Sequence, residues 1–123
     1  MTDESKDKEI NCNCLFLGES KVGKTSIIRR YIENKFELET FKTVGQSFDQ
    51  KRCTINNNIL NVKLWDTAGQ EKYHSITSMF LKKGQIFFLI YDITKKYTFE
   101  KLQSYWYKEI CDKCKETFGK IYI

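Results

Sequence analysis

The chain has 123 residues, 41% of them hydrophobic and 30% charged, which predicts one soluble globular domain large enough to bury its own core. No apolar run approaches the roughly 20 residues needed to span a bilayer, which excludes a membrane helix. The net charge of +5 is scattered along the sequence rather than gathered in a block, which excludes a nucleic-acid footprint.

In chain order, residues 1 to 10 are polar and charged and predict a disordered arm. The apolar stretch from Cys12 to Leu17 predicts a strand, with Cys12 and Cys14 alternating against Asn11 and Asn13 as a buried face would. Next comes Gly18-Glu19-Ser20-Lys21-Val22-Gly23-Lys24-Thr25, which fits G-x-x-x-x-G-K-[ST], the pattern of a phosphate-binding loop. Ile27, Ile28, Tyr31 and Ile32 then give a helical pattern ending near Asn34. Residues 35–46 show no periodicity and predict a loop. Phe48 to Ile55 and Ile59 to Asp66 flank Asn56-Asn57-Asn58, so they predict a hairpin. Leu60, Val62 and Leu64 alternate with Asn61 and Lys63, which predicts one buried face and one wetter face.

Asp66 to Ser78 predicts a loop or an irregular helix. The continuous apolar run from Ile86 to Tyr91 predicts a central strand covered on both faces. Phe99, Leu102, Trp106 and Ile110 recur at helical spacing, giving an amphipathic helix from Thr98 to about Thr117, capped by Thr98 or Thr94. Ile121-Tyr122-Ile123 predicts the start of another strand. The resulting fold class is α/β, a layered, mostly parallel sheet with one antiparallel hairpin strand. Five cysteines without a secretory leader predict a reducing, cytoplasmic setting. Cys111-Asp112-Lys113-Cys114 has no second ligand pair, and the lone His74 no partner, so the thiols predict core or surface residues rather than a zinc site.

The loop chemistry follows from its residue types. Backbone N–H groups converge on phosphate oxygens, aided by the positive end of the following helix. Lys24 supplies a mobile cation, and the Thr25 hydroxyl is a hard ligand for Mg²⁺. An ordinary strand–helix turn is the competing reading. A second motif, Leu64-Trp65-Asp66-Thr67-Ala68-Gly69-Gln70-Glu71, closes a strand. Asp66 is placed to hold Mg²⁺ through a water, Gly69 to bring a backbone N–H to a γ-phosphate, and Gln70 to orient an attacking water.

These two motifs together resemble the Ras-like small GTPases closely, and within them the Rab family. The resemblance extends through WDTAGQEKY, Ile76-Thr77-Ser78 and Phe88-Leu89-Ile90-Tyr91-Asp92-Ile93-Thr94, and covers residues 12 to 123. It implies a P-loop NTPase three-layer sandwich that binds GTP or GDP with Mg²⁺ and hydrolyses GTP as a switch in vesicle transport. Gly18, Glu19, Ser20, Lys21, Val22, Gly23, Lys24, Thr25 and Ser26 would then surround the phosphates. Lys24 and Gln70 are the implied catalytic residues, and Thr25, Thr43 and Asp66 the implied metal ligands.

By the same resemblance Phe36 lies against the guanine base, although it also reads as a hydrophobic anchor of the helix end. Thr43, anonymous on sequence alone, senses the γ-phosphate. Phe48, Trp65 and Phe80 match the aromatic triad on which Rab effectors dock, with core packing as the alternative. Implied partners are effector, exchange-factor and GTPase-activating proteins.

The sequence departs from the family in three places. Ser20 and Lys21 stand where many relatives carry glycine or another small residue; Lys21 adds a cation that either strengthens binding or points into solvent. Gly45-Gln46-Ser47-Phe48 replaces the usual Gly-Val-Asp-Phe. The chain stops at Ile123, inside the strand that would lead to the guanine-reading Asn-Lys-x-Asp motif, so residues 11–123 correspond to the N-terminal two-thirds of the family domain. The lipidated tail by which the family attaches to an endomembrane is likewise expected to be missing, leaving any membrane contact indirect. A sheet left uncovered by the missing helix would favour self-association. The alternative function is a truncated, non-catalytic module that keeps the effector surface without guanine specificity. A third reading, a P-loop ATPase or kinase of another class, conflicts with the second motif.

Overall fold

The computed structural model of the chain describes residues 8–33, 47–67, 81–114 and 120–123. The expected polar arm up to residue 7 and the expected loop at 35–46 lie outside them, as does most of the segment from Asp66 to Ser78.

A five-stranded sheet in the order β2-β3-β1-β4-β5 organises these residues. Its strands are β1 (Glu9–Leu17), β2 (Ser47–Ile55), β3 (Asn58–Asp66), β4 (Ile86–Leu89) and β5 (Lys120–Tyr122). All neighbouring pairs are parallel except β2 and β3, which form the expected hairpin. Asn56 and Asn57 turn its corner with φ of 50° and 64°, and Ile55 pairs with Asn58 across it. Positive φ at both corner residues is the primed-turn geometry that matches strand twist, and asparagine tolerates it better than most side chains.

β1 begins at Glu9, so Glu9 and Ile10 belong to the sheet rather than to a disordered arm. β3 is long enough to offer them partners: Glu9 pairs with Ile59, and the Ile59 N–H donates to the Lys8 carbonyl at 2.7 Å. β4 is shorter than expected and ends at Leu89 rather than Tyr91. Its last partner on β1 is Leu17, after which the Ile90 N–H donates to the Leu17 carbonyl at 2.8 Å and the ladder runs out.

Helices cover both faces, giving the expected three layers. α1 (Lys24–Glu33) sits on one face, where buried Ile28 packs with Cys14, Phe16 and Leu64. The opposite face carries one helical rod made of α2 (Lys96–Lys101), a π-helical turn (Leu102–Trp106) and α3 (Tyr107–Lys113). Its Leu102, Trp106 and Ile110 pack on Leu15, Leu17, Phe87 and Leu89. The backbone stays right-handed helical through both junctions, at Leu102 and Tyr107, so the π turn interrupts the period without breaking the rod. Helical spacing found the buried Leu102, Trp106 and Ile110, but Phe99, expected in the same stripe, is 48% exposed with its ring edge-on to Tyr91; the wider turn has no signature in that spacing.

Two further expectations change. The rod starts at Lys96, and its N-cap is Lys95, which makes no side-chain cap hydrogen bond. Thr98 is instead fully buried: its hydroxyl donates to the Lys95 carbonyl at 2.7 Å and accepts from the Asp92 N–H at 2.9 Å. Thr94 joins Asp92, whose carboxylate accepts from the Thr94 N–H and hydroxyl at 2.9 and 2.6 Å. Those two bonds hold the Asp92 pKa below its ordinary value.

The wetter face of the hairpin is also not fully wet. Asn61 is buried because β3 lies inside the sheet between β1 and β2. Its amide N–H groups donate to Glu9 at 2.8 Å and Asn11 at 3.2 Å, while its Oδ1 has no hydrogen-bond partner among the described residues.

Candidate nucleotide-binding site

The phosphate loop leaves the C-terminal end of β1 and enters α1, as its motif requires. Gly18 is buried with φ +148°, and a Cβ there would lie 2.3 Å from the Ile90 carbonyl oxygen. Only glycine lets the chain turn off β1 this close to β4. Gly23 has φ +106°, and a Cβ there would meet no protein atom within 4 Å, so among the described residues its backbone conformation, not crowding, calls for glycine. Lys21 also has positive φ, 64°, and is exposed. The position the sequence marked as a departure from small residues is thus left-handed, and its lysine points into solvent.

Lys24 is 3% exposed, the first residue of α1. Its ammonium donates to the carbonyls of Gly18 at 2.9 Å and Glu19 at 2.7 Å, tying the helix start back to the loop start. The Ile27 N–H donates to the Gly23 carbonyl at 2.9 Å, so the helical ladder begins inside the motif and the preceding N–H groups face the loop.

Thr25 and Asp66 meet although far apart in sequence: the Thr25 hydroxyl donates to Asp66 Oδ2 at 2.5 Å. α1 delivers the hydroxyl and the tip of β3 the carboxylate, which is buried. Next to it the fully buried Thr67 hydroxyl donates to the Phe16 carbonyl at 2.7 Å, fixing the chain as it leaves the strand. A hydroxyl and a buried carboxylate are hard oxygen donors, the set that suits Mg²⁺. Ser20, Val22 and Ser26 are half-buried within the same loop and first helical turn. Phe36, Thr43, Gly69, Gln70 and Phe80 lie outside the described residues.

On the outer hairpin Phe48 and Trp65 are register partners, with ring centroids 4.6 Å apart. Phe48 is 43% exposed. Lys63 lies over the Phe48 ring at 5.2 Å and Lys83 over Trp65 at 4.8 Å. Trp65 is half-buried and anchored by its indole N–H, which donates to Asn13 at 3.1 Å.

Sequence reasoning placed Glu19 in the loop only as a backbone element, and Trp106 only in the core. The structure joins them: the Trp106 indole N–H donates to Glu19 Oε2 at 2.8 Å. The available signals were chemical ones, an acid inside a G-x-x-x-x-G-K-[ST] loop and a core tryptophan whose N–H needs an acceptor.

The cysteines behave as packing residues. Burial, with the neighbouring Cys12 thiol, pushes the Cys14 pKa up to about 12, and burial raises that of Cys114. Among the described residues no group of three or more acids, histidines and cysteines is arranged to hold a metal. No helix among them is long and apolar enough to cross a membrane.

With strand order, loop, lysine and the Thr25–Asp66 contact all in place, comparison with known proteins decides the lineage. The family model described as "Ras family" matches residues 13–123. The chain belongs to the Ras family. Among its relatives, the Ras-related protein Rab-21 of Geodia cydonium is 37% identical over 111 residues, covering 89% of this chain and 48% of that protein. Ras-related protein Rab-18 of Caenorhabditis briggsae is 34% identical, covering 93% of this chain and 56% of the relative. Ras-related protein YPT3 of Nicotiana plumbaginifolia is 38% identical, covering 80% and 44%. These matches agree with the Rab-like motifs of this Ras-family chain, which spans about half the length of the curated relatives it matches.

Proposed function

We propose that this chain carries the phosphate- and Mg²⁺-binding part of a Rab-type GTPase switch acting in membrane traffic. The observation that carries the reading is the convergence of a Lys24-tied phosphate loop with the Thr25–Asp66 pair at one end of the sheet. Loop amides and the start of α1 offer positive potential to the β- and γ-phosphates of GTP. Lys24 is held by carbonyls, weaker partners than a phosphate, and so is poised to exchange them for the anion. Thr25 and Thr43, with Asp66 through a water, would hold Mg²⁺, which would supply charge neutralisation to the phosphates. Gln70 orients the attacking water, and Phe36 and Gly69 complete the contacts to base and γ-phosphate. Hydrolysis on this scheme is positioning and electrostatics without covalent chemistry, so an activating protein is expected to add transition-state charge.

A second reading is favoured by the outer hairpin. The stacked, lysine-flanked Phe48–Trp65 pair supports an effector-docking surface, with Phe80 as its third member. A chain keeping that surface without reading guanine would act as a binding module rather than an enzyme.

Calorimetric titration with GDP·Mg²⁺ and then ADP·Mg²⁺ separates the two. Tight GDP binding with weak ADP binding supports the switch for this chain. Equal weak binding, or none, refutes it for this chain and leaves the docking module.

A further inference from the structure

The phosphate loop, Gly18 to Thr25, contains one acid, Glu19. A carboxylate beside an anion site repels the ligand unless something turns it away, because charges a few ångströms apart interact strongly where water is scarce. Glu19 is held in two ways. Its carbonyl accepts from Lys24 at 2.7 Å, and its carboxylate accepts from the Trp106 indole N–H at 2.8 Å. Trp106 is 1% exposed and lies with Leu15 and Leu17 on the sheet face opposite α1. Tyr105 packs edge-on against it, with centroids 4.9 Å apart and planes at 88°. Trp106 is also the last residue of the π-helical turn. Such wide turns re-aim side chains within a helix and concentrate at functional sites.

We propose that Trp106 is a positioning residue for the phosphate loop: its indole N–H draws the Glu19 carboxylate to the far face of the sheet, so that the loop presents amides and Lys24, but no negative charge, to the ligand. This rests on the reading of the loop as a nucleotide site. A residue on the helical rod thereby sets phosphate affinity without touching phosphate.

The experiment measures GDP·Mg²⁺ affinity of the full 123-residue chain by calorimetry. Trp106→Phe keeps an aromatic ring in the core and removes the N–H, and is expected to weaken binding roughly tenfold, the scale of a lost hydrogen bond to a charged group. Adding Glu19→Gln to Trp106→Phe removes the charge that was released, and is expected to restore affinity to within about threefold of the unsubstituted chain. A purely structural role for Trp106 predicts no such rescue, since a neutral side chain at position 19 repairs no packing. Unchanged affinity in Trp106→Phe, or a double variant as weak as the single one, overturns the proposal.

If Trp106→Phe does not fold, the same question is put to chains that retain Trp106, with Trp65→Phe used to assign the two indole N–H resonances. On saturation with GDP·Mg²⁺ the Trp106 N–H is expected to stay protected from exchange and to move when Glu19→Gln is introduced. A signal that becomes unprotected in the bound state overturns the proposal. Failure of the unsubstituted chain to bind GDP·Mg²⁺ overturns both this proposal and the nucleotide reading, whereas binding that ignores Trp106→Phe overturns this one alone.

Discussion

Gly18→Ala tests whether the loop's entry, rather than its motif as a whole, depends on glycine. The added Cβ would sit 2.3 Å from the Ile90 carbonyl oxygen, a backbone atom that cannot rotate aside. Relief requires β1 and the chain after β4 to part just where the Ile90 N–H donates to the Leu17 carbonyl. Holding a non-glycine residue at φ +148° costs about 1–3 kcal/mol. Leaving the buried Leu17 carbonyl and its partner amide unpaired costs about 1–3 kcal/mol more. The sum, roughly 2–6 kcal/mol, is a large share of the 5–15 kcal/mol typical of a domain.

Gly23→Ala is the internal control, since its Cβ meets nothing within 4 Å and only the backbone term applies. Urea unfolding followed by far-ultraviolet circular dichroism measures both. Gly18→Ala is expected to lower the midpoint clearly more than Gly23→Ala. Equal losses, or a Gly18→Ala loss under about 1 kcal/mol, would refute the close-approach argument.

Lys21→Gly is expected to stabilise the chain by about 0.5–1 kcal/mol in the same assay, because an exposed lysine at φ 64° carries a left-handed penalty that glycine does not. Thr98→Val keeps the shape and deletes a buried hydroxyl that serves the Asp92 N–H and the Lys95 carbonyl, and should cost about 1–3 kcal/mol of stability in thermal melts. Cys14, raised from 9.0 to about 12, keeps its proton in the folded state where the unfolded chain would lose it. Its stabilising contribution is therefore fully present below pH 9 and falls as pH rises from 9 toward 12, so urea midpoints should drop across that window and drop less in Cys14→Ala. On the proposed switch mechanism, Gln70→Leu should slow GTP hydrolysis by more than about tenfold while sparing GDP affinity, and unchanged single-turnover rates would remove Gln70 from its role.

The amino-acid sequence determined whatever short range physics could settle. Asn56-Asn57 fixed a corner that tolerates positive φ, alternation put Cys12 and Cys14 on the face of β1 that packs with α1, and Leu102, Trp106 and Ile110 marked the buried stripe of the rod. The turn formed by Gly18 to Thr25 was legible for the same reason: its glycines, lysine and threonine lie within one strand–turn–helix.

Tertiary structure decided what depends on partners distant along the chain. β1 starts at Glu9 because β3 extends far enough to pair with it, and β4 stops at Leu89 because β1 has ended. Asn61 is buried because its strand lies between two others, a fact about sheet order that alternation cannot carry. The Thr25–Asp66 and Glu19–Trp106 contacts join residues on different layers of the fold. Spacing along the sequence records the face a side chain takes on its own element; which residue waits opposite is set only when the sheet closes between its helices.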